Sequence, residues 1–89
     1  MEFYGNRKHW GNLSEREKEL RHHIEHIKKE EGISNTDISI MVNKSTVYVH
    51  QFMQGVPRAN NKKLEDLIID TLNPIYGTKH GYLMRTTGA

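Results

Sequence analysis

Ile33 to Gly55 reads ISNTDISIMVNKSTVYVHQFMQG, and the way this stretch divides decides the fold. Ser34 with Asp37 three residues on is a hydroxyl-then-carboxylate pair that satisfies the first free amides of a helix. Ile38, Met41 and Val42 follow at i, i+3 and i+4 spacing, so they are expected to share one buried face. The run breaks at Asn43-Lys44-Ser45, where Asn tolerates a left-handed backbone and Ser45 can cap what comes next. A second helix is predicted from Thr46 to Gln54, with Val49, Phe52 and Met53 inward. Gly55 is placed to end it.

The flanks extend this pattern. Ser14-x-x-Glu17 is a capping box with Leu13 before it, and Leu20, Ile24 and Ile27 supply an apolar stripe. Glu17/Arg21 and Glu25/Lys29 read as i,i+4 ion pairs on an exposed face, and Gly32 closes this first helix. After Gly55, the segment Val56-Pro57-Arg58-Ala59-Asn60-Asn61 is a loop, and Asn60 or Asn61 can cap a further helix running to about Leu72. Leu64, Leu67, Ile68 and Thr71 are expected on its core face. Ile69 projects away, toward a tail or a second subunit. Asn73-Pro74 is expected to stop that helix.

The chain therefore reads as all-α, a small bundle of four helices with room for a fifth. Residues 1–13 form an arm, 14–72 the helical domain, and 73–89 a tail or dimerisation segment. The arm holds Phe3, Tyr4, Trp10 and the cluster Arg7-Lys8-His9. It reads as a leader whose aromatics pack loosely on the domain, with reaching a nucleic-acid backbone as the other reading.

Eighty-nine residues allow one domain and a modest core, with little room for an enclosed catalytic cleft. Hydrophobic residues make up 35% and charged residues 27%, and there is no apolar run near ~18 residues, so no membrane span is expected. The first ten residues lack the apolar stretch of a secretory signal. The absence of cysteine removes disulfides and thiolate metal sites and fits a cytoplasmic protein. A net charge of +2 and a pI near 9.0 are compatible with a polyanionic partner and argue against a strongly acidic DNA mimic.

His22-His23-Ile24-Glu25-His26 formally matches the H-x-x-E-H zinc-protease pattern. His22 and His26 lie one turn apart, but on the face opposite Leu20, Ile24 and Ile27, with no third ligand or cavity in sight. The match reads as chance in a polar helix. No enzyme activity, metal or cofactor is expected.

Helix, two short helices around a tight turn, loop and helix together resemble the lambda-repressor-like helix-turn-helix family, the Cro and Xre type of phage and bacterial regulators. The resemblance covers about Ser14 to Leu72. Ser39 stands where the family prefers a small residue so that the two helices approach closely. Asn43 stands at the turn glycine, Val49 and Phe52 at the buried positions of the recognition helix, and Gly55 at the glycine that follows it. Lys44 departs from the apolar residue usual after the turn.

The resemblance implies a sequence-specific regulator that binds double-stranded DNA as a homodimer, with the helix near 46–54 in the major groove. Base contacts would come from Thr46, Val47, His50, Gln51 and Gln54, with Gln51 suited to adenine and Val47 to a thymine methyl. Phosphate contacts would come from Asn35, Lys44, Ser45, Arg58, Asn60 and Lys62. The alternative is a helix-turn-helix module turned to a regulatory protein partner, as an antirepressor, repressor modulator or inhibitor of a host enzyme. Val47 and Ile40, aliphatics outside the core, motivate it, together with the absence of Arg and Lys from the helix itself.

Overall fold

Both capping signatures close as reciprocal hydrogen bonds in the computed structural model, which describes residues 7–86. Ser14 N donates to Glu17 Oε1 at 2.9 Å and Glu17 N to Ser14 Oγ at 3.2 Å. Ser34 and Asp37 repeat the arrangement at 2.8 and 3.2 Å. The boxes open α1 (Glu15–Glu31) and α2 (Asn35–Val42), and α3 (Thr46–Gln54) and α4 (Asn61–His80) follow. A single 3-10 turn, Trp10–Asn12, precedes α1, and no strand occurs among the described residues. Asn43 ends α2 with φ 57°, the left-handed conformation its short polar side chain accepts. Ser45 Oγ then accepts from Tyr48 N at 3.3 Å to start α3.

The core collects Leu20, Ile24 and Ile27 from α1, Ile38 and Val42 from α2, and Val49, Phe52 and Met53 from α3. α4 contributes Leu64, Ile68, Ile69 and Leu72, and Leu83 joins from the segment beyond. Three expected core residues lie outside it: Met41 and Leu67 are exposed and Thr71 is half-buried, while Ile69 is buried. The buried stripe of α4 is thus i, i+4, i+5 and i+8, rotated toward the returning chain, and Ile69 and Leu83 line one cleft. The tail contact offered as one explanation for Ile69 is the one present.

The expected stop at Asn73-Pro74 does not occur, and α4 runs through Pro74 to His80. An interior proline costs about 3 kcal/mol against a good helix former, so other contacts must hold the extra turns. Asn73 supplies two of them, donating from Nδ2 to Leu83 O at 3.1 Å and accepting from Leu83 N at 2.7 Å. Glu31 at the end of α1 pairs with Lys79 at 2.9 Å and with His80 at 2.6 Å. The His80 hydrogen bond, then Lys79, hold the Glu31 carboxyl below its ordinary pKa. Gly77 lets the chain fold back, because a Cβ there would stand 2.4 Å from the Tyr82 ring.

α1 departs from its expected polar face. Arg21 and Glu25, each expected in a surface pair, are buried, and so is Lys28. Glu25 accepts from Arg7 Nη2 at 2.5 Å, so the chain before α1 is fastened to its side, and Arg7 also lies 4.4 Å from the Trp10 ring centre. Phe3 and Tyr4 of the predicted arm lie outside the described residues. His22 stands 3.5 Å from the Glu25 carboxylate, and His26 meets the His80 ring edge-on at 5.7 Å. No helix among the described residues is long and apolar enough to cross a membrane.

Candidate nucleic-acid interface

A nine-residue helix such as α3 is too short to persist alone, so its neighbours must hold it. They do so at its C-terminal end, where a helix leaves carbonyl oxygens unpaired. Arg21 Nε donates to Phe52 O at 2.7 Å, Trp10 Nε1 to Met53 O at 2.8 Å, and His9 N to Gln54 O at 3.0 Å. The Arg21 guanidinium also lies 4.0 Å from the Phe52 ring centre. A cation is favoured at the negative end of the helix dipole, although burial pushes the Arg21 pKa down while Glu17 and Glu65 oppose that. Gly55 makes the junction possible: its φ is +86°, and a Cβ would meet His9 O at 2.9 Å.

With Val49, Phe52 and Met53 inward, the opposite face turns to solvent. Thr46, Val47 and His50 are exposed, and Gln51 and Gln54 are half-buried. The structure therefore brings all the expected base-contact residues onto one outer surface, with different freedom at each. Ser39 Oγ donates to Thr36 O at 2.6 Å, so at the 3.1 Å contact between hydroxyls it is Thr46 that donates to Ser39. Thr46 thus has its proton committed between α2 and α3 and offers only lone pairs outward. Gln51 Oε1 accepts from Arg58 Nη1, and the same guanidinium lies 5.0 Å from the Tyr48 ring centre. Val47 is 59% exposed.

The expected phosphate contacts divide. Lys44, Ser45, Arg58 and Asn60 are exposed around α3, with Ser45 serving as its cap and Asn60 standing before α4 without a side-chain cap bond. Asn35 is half-buried and shares hydrogen bonds with Lys28 and His50. Lys62 is turned to carboxylates, 3.3 Å from Glu65 and 3.2 Å from Asp66. Burial opposes its charge, but the bonds to Asp66 and Glu65 outweigh that and raise its pKa. The Lys62 ammonium is thus engaged within α4 rather than turned toward α3.

Sequence reasoning missed Arg21, Lys28, Trp10 and Tyr48. A signal existed for two of them: Leu20, Arg21, Ile24, Ile27 and Lys28 fall at i, i+1, i+4, i+7 and i+8, so the cations flank the apolar stripe and need buried acceptors. For Trp10 and Tyr48 the partners are non-local and no spacing announces them. No protein-family model matches the chain, and neither a curated protein nor a solved structure is significantly similar to it.

Proposed function

We propose that α2, the Asn43–Ser45 turn and α3 act as a helix-turn-helix unit, and that the protein is a sequence-specific regulator on double-stranded DNA, of phage or bacterial type. The observation that carries this reading is the fastening of α3 at one end, with His50, Gln51 and Gln54 held outward beside Arg58 and Lys44. Side-chain amides and an imidazole of this kind pair with base edges, while the cations meet phosphates. The +2 net charge suits specific contacts better than indiscriminate attraction to polyanions. In this reading a homodimer places its α3 helices about one DNA turn, ~34 Å, apart.

Footprinting on genomic fragments at two salt concentrations tests it. Gln51→Ala is expected to cost about 1–3 kcal/mol and relax preference at one base pair. Arg58→Ala should weaken binding at every sequence and flatten the salt dependence. Binding that neither substitution changes places α3 outside the groove.

A second reading has its own observation. Ile40 on α2 is 73% exposed and Val47 on α3 59% exposed, and a shallow groove is lined by Tyr48, Leu64 and Leu67 together with Lys44, Lys63, Asp66 and Asp70. Such a surface suits a regulatory protein partner. Capture of one partner with little salt sensitivity, and no footprint, would select this reading over DNA.

A further inference from the structure

The polar groups on the outward face of α3 have a direction, and it is set from inside the protein. Lys28 is only 4% exposed, and its ammonium has donors and no acceptor. Its Nζ lies 2.7 Å from Asn35 Oδ1, so that oxygen accepts and the amide is fixed with Nδ2 on its other side. Asn35 Nδ2 is 3.3 Å from His50 Nδ1. An amide nitrogen donates, so Nδ1 must accept and carries no hydrogen. A neutral imidazole has one N–H, which is then on Nε2. Gln54 Nε2 stands 3.1 Å from that nitrogen, which would set two N–H donors against each other. The two ends of an amide are nearly identical in shape and are told apart by their hydrogen bonds, so the network that Lys28 starts is consistent only with the Gln54 amide turned over, its oxygen to His50 and its NH₂ away.

We propose that Lys28 is a positioning residue that sets this polarity: it holds His50 as the Nε2–H tautomer and leaves Gln54 offering donors to the major groove. The base that fits two amide hydrogens is one that shows acceptors there, guanine above all with N7 and O6. The consequence for DNA rests on the function proposed above, whereas the tautomer does not. A surface charge near the C-terminus of α1 would serve the helix dipole with its head in water. Lys28 is instead buried at a cost that pushes its pKa down, partly offset by Glu25, and Asn35 Oδ1 accepts from it.

Asn35→Asp gives the sharpest test, because a carboxylate keeps the partner of Lys28 but can only accept. The relay should then reverse, with Nδ1–H on His50 and the Gln54 oxygen outward. Nitrogen-15 spectra of the histidine-labelled full chain near pH 8 report the tautomer, with His50→Gln assigning the signal. The expected result is Nε2–H in the natural protein, Nδ1–H in Asn35→Asp, and loss of the Nδ1 hydrogen-bond shift in Lys28→Met. In selections from a random DNA library, the position facing Gln54 should move from guanine toward adenine by about tenfold in Asn35→Asp. Nδ1–H in the natural protein, or an unchanged tautomer in Asn35→Asp, overturns the proposal. The expected tautomers with an unmoved base preference overturn its DNA half. The expected tautomers with no DNA selected by the natural protein leave the relay standing and remove the function proposed above. If Lys28→Met does not fold, Asn35→Asp carries the test.

Discussion

The two ends of α3 are held in opposite ways. At the C-terminal end, Phe52, Met53 and Gln54 each give a backbone carbonyl to a group from elsewhere in the chain, and the bonds reach back 31, 43 and 45 residues to Arg21, Trp10 and His9. At the N-terminal end and along the outer face, bonds pass between side chains of α2, α3 and the adjacent loop: Thr46 to Ser39, His50 to Asn35, Gln51 to Arg58. Backbone anchoring fixes where the helix lies whatever its side chains are. The outer residues therefore carry less of the placement of α3, although Thr46 still ties it to α2 through Ser39. A stability cost concentrated at the inner end and a specificity cost concentrated at the outer face are the signature of that division.

Arg21→Met tests the inner end hardest. It keeps much of the volume but takes the charged donor from Phe52 O, which is left with its bond from Gly55 N, and removes the cation from the helix terminus, so a loss of about 3 kcal/mol is expected in urea unfolding. A loss below about 0.5 kcal/mol, ordinary for a surface change, would mean that α3 is not held there. Gly55→Ala comes next. A left-handed backbone costs a Cβ-bearing residue about 1–2 kcal/mol, and the contact with His9 O adds to it, so about 2 kcal/mol is expected by the same measurement. Full stability in this variant would show that the His9 segment is free to withdraw.

The inner end was also the less legible in sequence. The helices themselves announce their starts, because Ser14-x-x-Glu17 and Ser34-x-x-Asp37 are local signals and close locally. The outer face of α3 follows from helical period once Val49 and Phe52 are placed inward. The anchoring of its C-terminus depends on the side chains of Arg21 and Trp10, and nothing in their spacing names Phe52 O or Met53 O. Pro74 misled for a related reason: a proline marks a local cost, whereas Asn73, Gly77 and Glu31 compensate through partners up to 49 residues away. Met41 and Leu67 show the limit of period alone, since a stripe defines a face to within one position and the neighbour decides which edge is covered.

Trp10→Phe isolates one anchor without opening a large hole. Only the Nε1–H to Met53 O bond is lost along with part of the ring, and about 1 kcal/mol is expected. Hydrogen exchange should rise most at the amides of α3, since the loosened end is theirs. If exchange rises evenly over all four helices, Trp10 supports the fold generally and not α3 in particular.

Val47→Ala is the smallest expected effect on stability and the most direct probe of the outer face. Val47 has lost its freedom in the helix without gaining burial, and alanine is the better helix former, so unfolding should shift by less than about 0.5 kcal/mol, in the stabilising direction if at all. On DNA, the variant should lose preference for thymine at one position while keeping its salt dependence, because a methyl contact carries no charge. With a protein partner, the same variant should weaken capture at low and high salt alike. A destabilisation above about 1 kcal/mol would instead place Val47 with the core, and the two ends of α3 would no longer differ in kind.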